Sequence, residues 1–139
     1  MSKPRVYIAG PYTHKDKAIQ ERRGEQHCEI TSEFLKNGHL TYSPIAETMN
    51  LAKYGHMVGT TWDTWREKDQ KEVELSDEMW ILMLDGWKDS VGVRGEVKHC
   101  IRLNKPISLY DPTTKLFWEV TPECILGELG VTTMEELND

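Results

Sequence analysis

Apolar residues along this chain alternate between short runs of strand length and longer segments with helical spacing, and the breaks fall at glycine, proline and asparagine. Arg5-Val6-Tyr7-Ile8-Ala9 is β-branched and aromatic and is stopped by Gly10-Pro11, which predicts a first strand. From Asp16 to Lys36, Ile19, Ile30 and Phe34, with Cys28 and Leu35 beside them, suit an amphipathic helix closed by Asn37-Gly38. Leu40-Thr41-Tyr42-Ser43 is a second strand ending before Pro44. The stretch from Pro44 to Thr61 has no clean period, and its length predicts a functional loop or lid. Trp62, Trp65 and Val73 then mark the face of a helix. Met79 to Leu84 is an unbroken apolar run, read as a buried third strand, followed by a glycine-containing turn and a helix with Val93, Val97, Cys100 and Ile101 on one side. Pro106 to Tyr110 is a fourth strand, ended by Asp111-Pro112. Leu116 to Val120 is strand-like, and a last helix starts at Thr121-Pro122-Glu123, with threonine as cap and proline at the first helical position. The order β-α-β-α-β-α-β-(β)-α predicts one α/β domain with a mostly parallel sheet of four to five strands covered on both faces.

The 139 residues suffice for one core and not for two. A net charge of −6 argues against a nucleic acid polymer or an anionic membrane as partner, since no basic surplus is available to neutralise phosphates. It leaves room for one small anionic ligand held by backbone amides. Cys28, Cys100 and Cys124 are odd in number and widely spaced, which fits reduced, mostly buried thiols and neither a disulfide framework nor a zinc site. The five histidines, His14, His27, His39, His56 and His99, show no metal spacing, so no metal or other cofactor is expected and each reads as a surface or satisfied residue. The apolar run after Met1-Ser2-Lys3-Pro4-Arg5 is too short for a signal peptide or a membrane span, and a cytoplasmic location is expected. No Gly-x-Ser-x-Gly elbow is present. Lys105-Pro106 superficially suggests a phosphoacceptor receiver domain, but the first strand lacks the acidic pair that would hold magnesium.

The chemistry concentrates on the turn after the third strand. In α/β sheets ligands bind beyond the carboxyl ends of strands, and the following helix offers free N–H groups and a positive dipole end. Glu96 projects from the first turns of that helix, while Gly92 and Gly95 keep the neighbouring surface bare. The plainer alternative is that Ser90 is an ordinary N-cap and Glu96 a solvated residue favoured by the dipole. Asp69 lies four residues after Trp65 and four before Val73, in the middle of a stripe that faces the interior. Burial there would raise its pKa, unless the helix is rotated and Asp69 sits at the rim beside Lys68 or Lys71. Gly10-Pro11 reads first as a tight turn, with neither the dinucleotide fingerprint nor a Walker lysine.

Taken together, Tyr7-Ile8-Ala9-Gly10-Pro11, an acidic residue on the helix before strand three, Ser76-Asp77 leading into that strand, and Gly86-Trp87 followed by Ser90-x-Gly-Val-x-x-Glu96 resemble the nucleoside 2-deoxyribosyltransferase superfamily. The Leu-Asp-Gly-Trp-x-x-Ser-x-Gly-Val form is most similar to its small bacterial and phage members, and the resemblance spans about residues 5 to 111. It implies a doubly wound, flavodoxin-like domain that cleaves or exchanges the N-glycosidic bond of a deoxynucleoside or its 5′-monophosphate. By the family pattern Glu96 is the nucleophile, Tyr7 orients it, and Asp69 assists at the sugar and base. Gly10, Pro11, Asp89, Ser90 and Gly92 fall at substrate-binding positions. Six residues before the nucleophile, transferases of the family carry an aspartate that holds the sugar, and monophosphate hydrolases a serine that contacts phosphate. Here that residue is Ser90, with Asp89 one position away, so a nucleotide is favoured and a one-residue shift of the loop would favour a nucleoside. The resemblance also implies a homodimer or larger homo-oligomer, an expectation that five tryptophans suit, although all five also fit a core. A non-catalytic nucleotide-binding module on the same fold remains the alternative.

Overall fold

The computed structural model describes residues 2–52, 54 and 62–131, with the side chains of 52 and 62–64 left out of the description. Strand β1 (Arg5–Ala9) leads to helix α1 (Lys17–Lys36), β2 (Leu40–Tyr42), α2 (Pro44–Ala52), α3 (Trp62–Leu75), β3 (Glu78–Leu82), α4 (Val91–Arg102), β4 (Ile107–Asp111), β5 (Leu116–Val120) and α5 (Pro122–Glu128). Among the described residues the sheet order is β2-β1-β3-β4-β5. The first four strands are parallel, and β5 closes one edge antiparallel to β4. The chain steps from β1 outward to β2 in one direction and from β3 outward to β4 in the other. The carboxyl ends of β1 and β3 therefore form the crevice where a doubly wound sheet takes its ligand.

Side-chain alternation sorts the strands onto two cores. Tyr7 and Ala9 of β1, Met79 and Ile81 of β3, and Ile107 and Leu109 of β4 face Val73 of α3, Val93 and Val97 of α4, and Ile125 and Leu129 of α5. Val6, Ile8, Trp80, Leu82 and Tyr110 face the other side, where Phe34 of α1 inserts. Its ring stands edge-on to Trp80 and Tyr110, with centroids 5.1 and 4.9 Å away.

Several expectations need correction. The segment from Pro44 is not a loop or lid at its start: Ser43 leaves the strand and its hydroxyl accepts from the Ala46 amide at 3.2 Å, so Pro44 opens the nine-residue helix α2. Residues 53 and 55–61, and the side chain of Trp62, lie outside the described residues. In α1, Asp16 is the cap and not the first helical residue, and the buried stripe is Gly24, His27, Thr31 and Phe34. Ile19 and Leu35, expected on that stripe, are 39% and 54% exposed. His27, with no exposure, is a core residue. The third strand ends at Leu82, with Met83 and Leu84 continuing as loop, and a single 3-10 turn over Trp87–Asp89 precedes α4. Of the three free thiols, Cys100 is buried, Cys28 half-buried and Cys124 exposed, so they are not mostly buried. Trp80 and Trp87 are core, Trp118 is exposed, and Trp65 is half-buried.

Lys105 has a structural role. Its ammonium donates to the carbonyls of Val73 at 2.9 Å, Glu74 at 2.5 Å and Ser76 at 2.6 Å, closing the carboxyl end of α3 where carbonyls lack helical partners. Lys105→Met takes the ammonium from those carbonyls, of which Val73 keeps the Ser76 amide at 3.1 Å, at a cost of about 2 kcal/mol. We expect a melting temperature lower by roughly 5–10 °C in calorimetry; an unchanged transition would remove Lys105 from the account of how α3 is held.

Candidate active site

The loop after β1 is shaped by a buried imidazole. A Cβ on Gly10 would lie 2.5 Å from His27 Cε1, so only glycine lets the chain pass, and His27 Nε2 lies 3.2 Å from the Pro11 carbonyl. Burial lowers the His27 pKa to about 4 against the opposing effect of that carbonyl. The ring is thus neutral and donates through Nε2. Pro11 is buried and fixes this turn; the cleft wall at this place is Gly10.

On the opposite bank, Gly86 takes φ of +84°, a left-handed conformation that glycine adopts without strain. Arg23 from α1 donates to the Thr13 carbonyl at 3.0 Å and the Asp85 carbonyl at 3.1 Å, strapping the loops after β1 and β3 together. The chain then enters α4 through Ser90, an extended residue whose Oγ accepts from the Val93 amide at 3.2 Å. Ser90 is therefore the N-cap, and a hydroxyl that accepts this bond still has its proton to donate.

These banks enclose a cleft of about 810 Å3, lined by Gly10, Arg23, Trp65, Asp69, Asp89, Ser90, Gly92 and Glu96 among others. Asp69 thus comes from α3 and Glu96 from α4 to one crevice at the end of β3. Asp69 is half-buried and lines this cleft, while Lys68 beside it reaches Glu47 at 3.0 Å and the Tyr42 hydroxyl, which in turn donates to Glu47. Gly92 matters by its size. The Ser90 Oγ and Glu96 Oε1 atoms each lie 3.8 Å from the point its Cβ would occupy. An alanine would make ordinary contact with both, and a longer side chain would reach between them.

Glu96 is half-buried as a residue, but its Oε2 atom is shielded from solvent and forms no well-aligned hydrogen bond; the same is true of the Tyr7 hydroxyl beneath it. Burial pushes the Glu96 carboxyl up to about 8, the Tyr7 hydroxyl opposes the shift, and the charge on Asp69 adds to it. Burial likewise pushes Asp69 to about 6, opposed by Lys68 and reinforced by the charges of Glu47 and Glu72. Burial, with Glu96 and Asp69 adding to it, holds the Tyr7 phenol well above its ordinary value, so it is a neutral donor. The site thus holds two carboxyl groups that titrate near neutrality, the property required for acid and base work at pH 7. Among the described residues no group of three or more His, Cys, Asp or Glu side chains is placed to hold a metal ion, and no helix is long and apolar enough to cross a membrane.

Sequence reasoning overlooked Arg23, Tyr12, His14, Ile45 and Thr48, which also line the cleft. Tyr12 and His14 lie on the loop after β1, whereas Arg23, Ile45 and Thr48 carry no local signal, because α1 and α2 meet the cleft only through their packing. A Cβ on Gly24 would fall 2.6 Å from Met49 Sδ and 3.2 Å from Tyr12, and that close approach brings α2 onto α1.

The fold is similar to that of a solved structure of 2-deoxyribosyltransferase from the psychrotolerant bacterium Bacillus psychrosaccharolyticus, with a TM-score of 0.57 and 17% sequence identity, over 96% of this chain and 95% of that one. No curated protein matches the chain by sequence. From the residue before β1 to the residue after β4, residues 4–112, the chain matches, and so belongs to, the family described as "Domain of unknown function (DUF1937)".

Proposed function

We propose that this protein cleaves or exchanges the N-glycosidic bond of a deoxynucleoside, preferring the 5′-monophosphate, through a covalent glycosyl ester on Glu96. The observation that carries the reading is the pair Asp69 and Glu96, two desolvated carboxyl groups on one crevice, with the Tyr7 phenol under the second. The likeness to a 2-deoxyribosyltransferase fold supports it.

In the first step ionised Glu96 attacks the anomeric carbon as the C–N bond breaks through an oxocarbenium-like transition state. The bond's electron pair leaves with the base, which takes a proton from Asp69. In the second step water or another base attacks the ester carbon, Asp69 accepts the incoming proton, and Glu96 is freed. The Tyr7 hydroxyl holds the free carboxylate toward the sugar. Ser90, the first amides of α4 and the Arg23 guanidinium supply the donors a 5′-phosphate needs, each charge-assisted bond contributing about 1.5–3 kcal/mol. That sum outweighs a net charge of −6 that salt screens. A homodimer or larger assembly belongs to the same reading; a monomeric mass by sedimentation in a fully active sample would contradict it.

Incubation with a panel of deoxynucleosides and their monophosphates, followed by chromatography for free base, should show release in the wild-type protein. Binding without release would instead assign a non-catalytic nucleotide module. Glu96→Gln should abolish release. It should also raise the melting temperature at pH 8–9 and not at pH 4. The buried carboxyl holds its proton up to pH about 8, while the unfolded chain loses it near 4.5, so ionisation weakens the fold as pH rises between those values. Unchanged turnover in that variant would remove Glu96 from the mechanism.

The reactive form needs Glu96 ionised and Asp69 protonated, so the pH profile of kcat/KM should be a bell with limbs near 6 and 8 belonging to the coupled pair. Asp69→Asn should slow release by about 10²–10⁴-fold and eliminate the descending limb. The remaining ascending limb should then report Glu96 alone and lie above 6 but below 8, because a negative neighbour no longer opposes ionisation of Glu96. A variant with the bell intact would make Asp69 a binding contact only.

Monophosphates should be turned over in preference to nucleosides, and Ser90→Ala should narrow the gap. If Asp89→Ala instead cripples the protein and nucleosides are the better substrates, Ser90 is a helix cap alone and Asp89 holds the sugar.

A further inference from the structure

Behind the reacting carboxyl groups lies a second cavity, of about 270 Å3, in the groove between α3 and α4. It shares Asp69, Val91, Gly92 and Glu96 with the larger cleft and extends along Arg66, Gln70 and Val73 on α3 and Gly95, His99 and Arg102 on α4. These residues recur three to four apart, so each helix presents one face to the groove.

Charge and space both single this groove out. Arg66, Lys98 and Arg102 place three permanent positive charges around one small cavity of a protein whose net charge is −6, and His99 adds a fourth nitrogen donor. The acidic groups facing them are Asp69, Glu96 and Glu74, whose Oε1 lies 3.5 Å from His99 Nε2 and whose Oε2 lies 3.4 Å from Lys71. The His99 Nε2 atom is shielded from solvent and lacks a well-aligned hydrogen bond. Gly95 is the independent observation. It sits mid-helix, where glycine costs roughly 0.5–1 kcal/mol relative to alanine. Yet a Cβ there, as at Gly127 of α5, would meet no atom within 4 Å, unlike Gly10, where His27 Cε1 would stand 2.5 Å away. Packing does not account for this glycine. Its effect is to open the groove down to the helix backbone.

We infer that the α3–α4 groove is a second binding site, for a phosphate group, held by Arg66 and Lys98 over the bare backbone at Gly95, with Arg102 lining its far end. The site is separate from the Ser90 end of the cleft and does not depend on the catalytic reading. A phosphate carries the compact double charge and the several acceptor oxygens that suit a cavity lined by cationic side chains. The shared chemistry admits the free ion or a phosphate monoester of a small sugar.

Calorimetric titration with inorganic phosphate, and in parallel with a sugar 5-phosphate, tests this on the full chain. The wild-type protein should bind. The Arg66→Gln/Lys98→Gln double variant should bind at least about tenfold more weakly. Gly95→Leu, which fills the groove with a better helix former, should lose this binding at an unlowered melting temperature. Ser90→Ala should retain it. Equal affinity for the two probes assigns the free ion as ligand, and a tenfold advantage for the ester assigns the monoester. Absence of binding to the wild type, or binding lost in Ser90→Ala and untouched by Gly95→Leu, overturns the proposal. Should Gly95→Leu fail to fold, Gly95→Ala and the double variant decide the matter on the same criteria.

Discussion

The cost of keeping the Glu96 carboxyl out of water, against the Tyr7 phenol, is the constraint on which the rest of the site depends. A carboxylate so placed prefers its proton, and a pKa near 8 records that preference. The phenol cannot move to relieve it, because Tyr7 is an interior residue of a central strand and is itself fully buried. The carboxylate cannot swing clear either. Its helix is fixed from below by Val93 and Val97 in the core and capped at its start by Ser90. The fold is thus made less stable at neutral pH by a group it holds in place, which is the expected mark of a reactive position.

Asp69 faces the same crevice for a different reason. Helix α3 crosses the sheet with Val73 in the core, but its rotation is set from outside, by Lys68 reaching to Tyr42 and Glu47 on one flank and by Lys105 holding its last carbonyls. Asp69, the residue after Lys68, is half-buried and lines the cleft. Burial raises the proton affinity of both carboxyl groups and the charge on Asp69 adds to that of Glu96, whereas neither would titrate near neutrality in open water at ordinary carboxylate values. The loops above them are tied by Arg23 and by the His27–Pro11 contact, so the banks of the cleft and the helices that carry the carboxyl groups are braced separately.

Much of this was legible in the sequence wherever one residue or a short spacing carries the signal. Gly10-Pro11 stops β1, Ser90 caps α4, and Thr121-Pro122 starts α5, because a cap or a fixed φ acts on its immediate neighbours only. Asp69, Ser90, Gly92 and Glu96 could be nominated for the same reason, since they sit beside those signals or at regular offsets along two helices, and Asp89 by the family resemblance; all five line one cleft. Helix α2 was not legible: nine residues give barely two turns of periodicity, and the segment that follows has none.

What tertiary structure alone decided is which faces are covered. Ile19 and Leu35 are as apolar as Phe34, yet α1 buries Gly24, His27 and Thr31 in their place, since the sheet and α2 reach only one side of it. Arg23 became a strap between two loops because residues 62 positions apart were brought to 3.1 Å, a distance no local pattern encodes. The basic groove between α3 and α4 arose in the same way, from two helices each unremarkable in composition. A sequence determines what each segment prefers by itself; burial, and with it the proton affinity of Asp69 and Glu96, exists only once the segments meet.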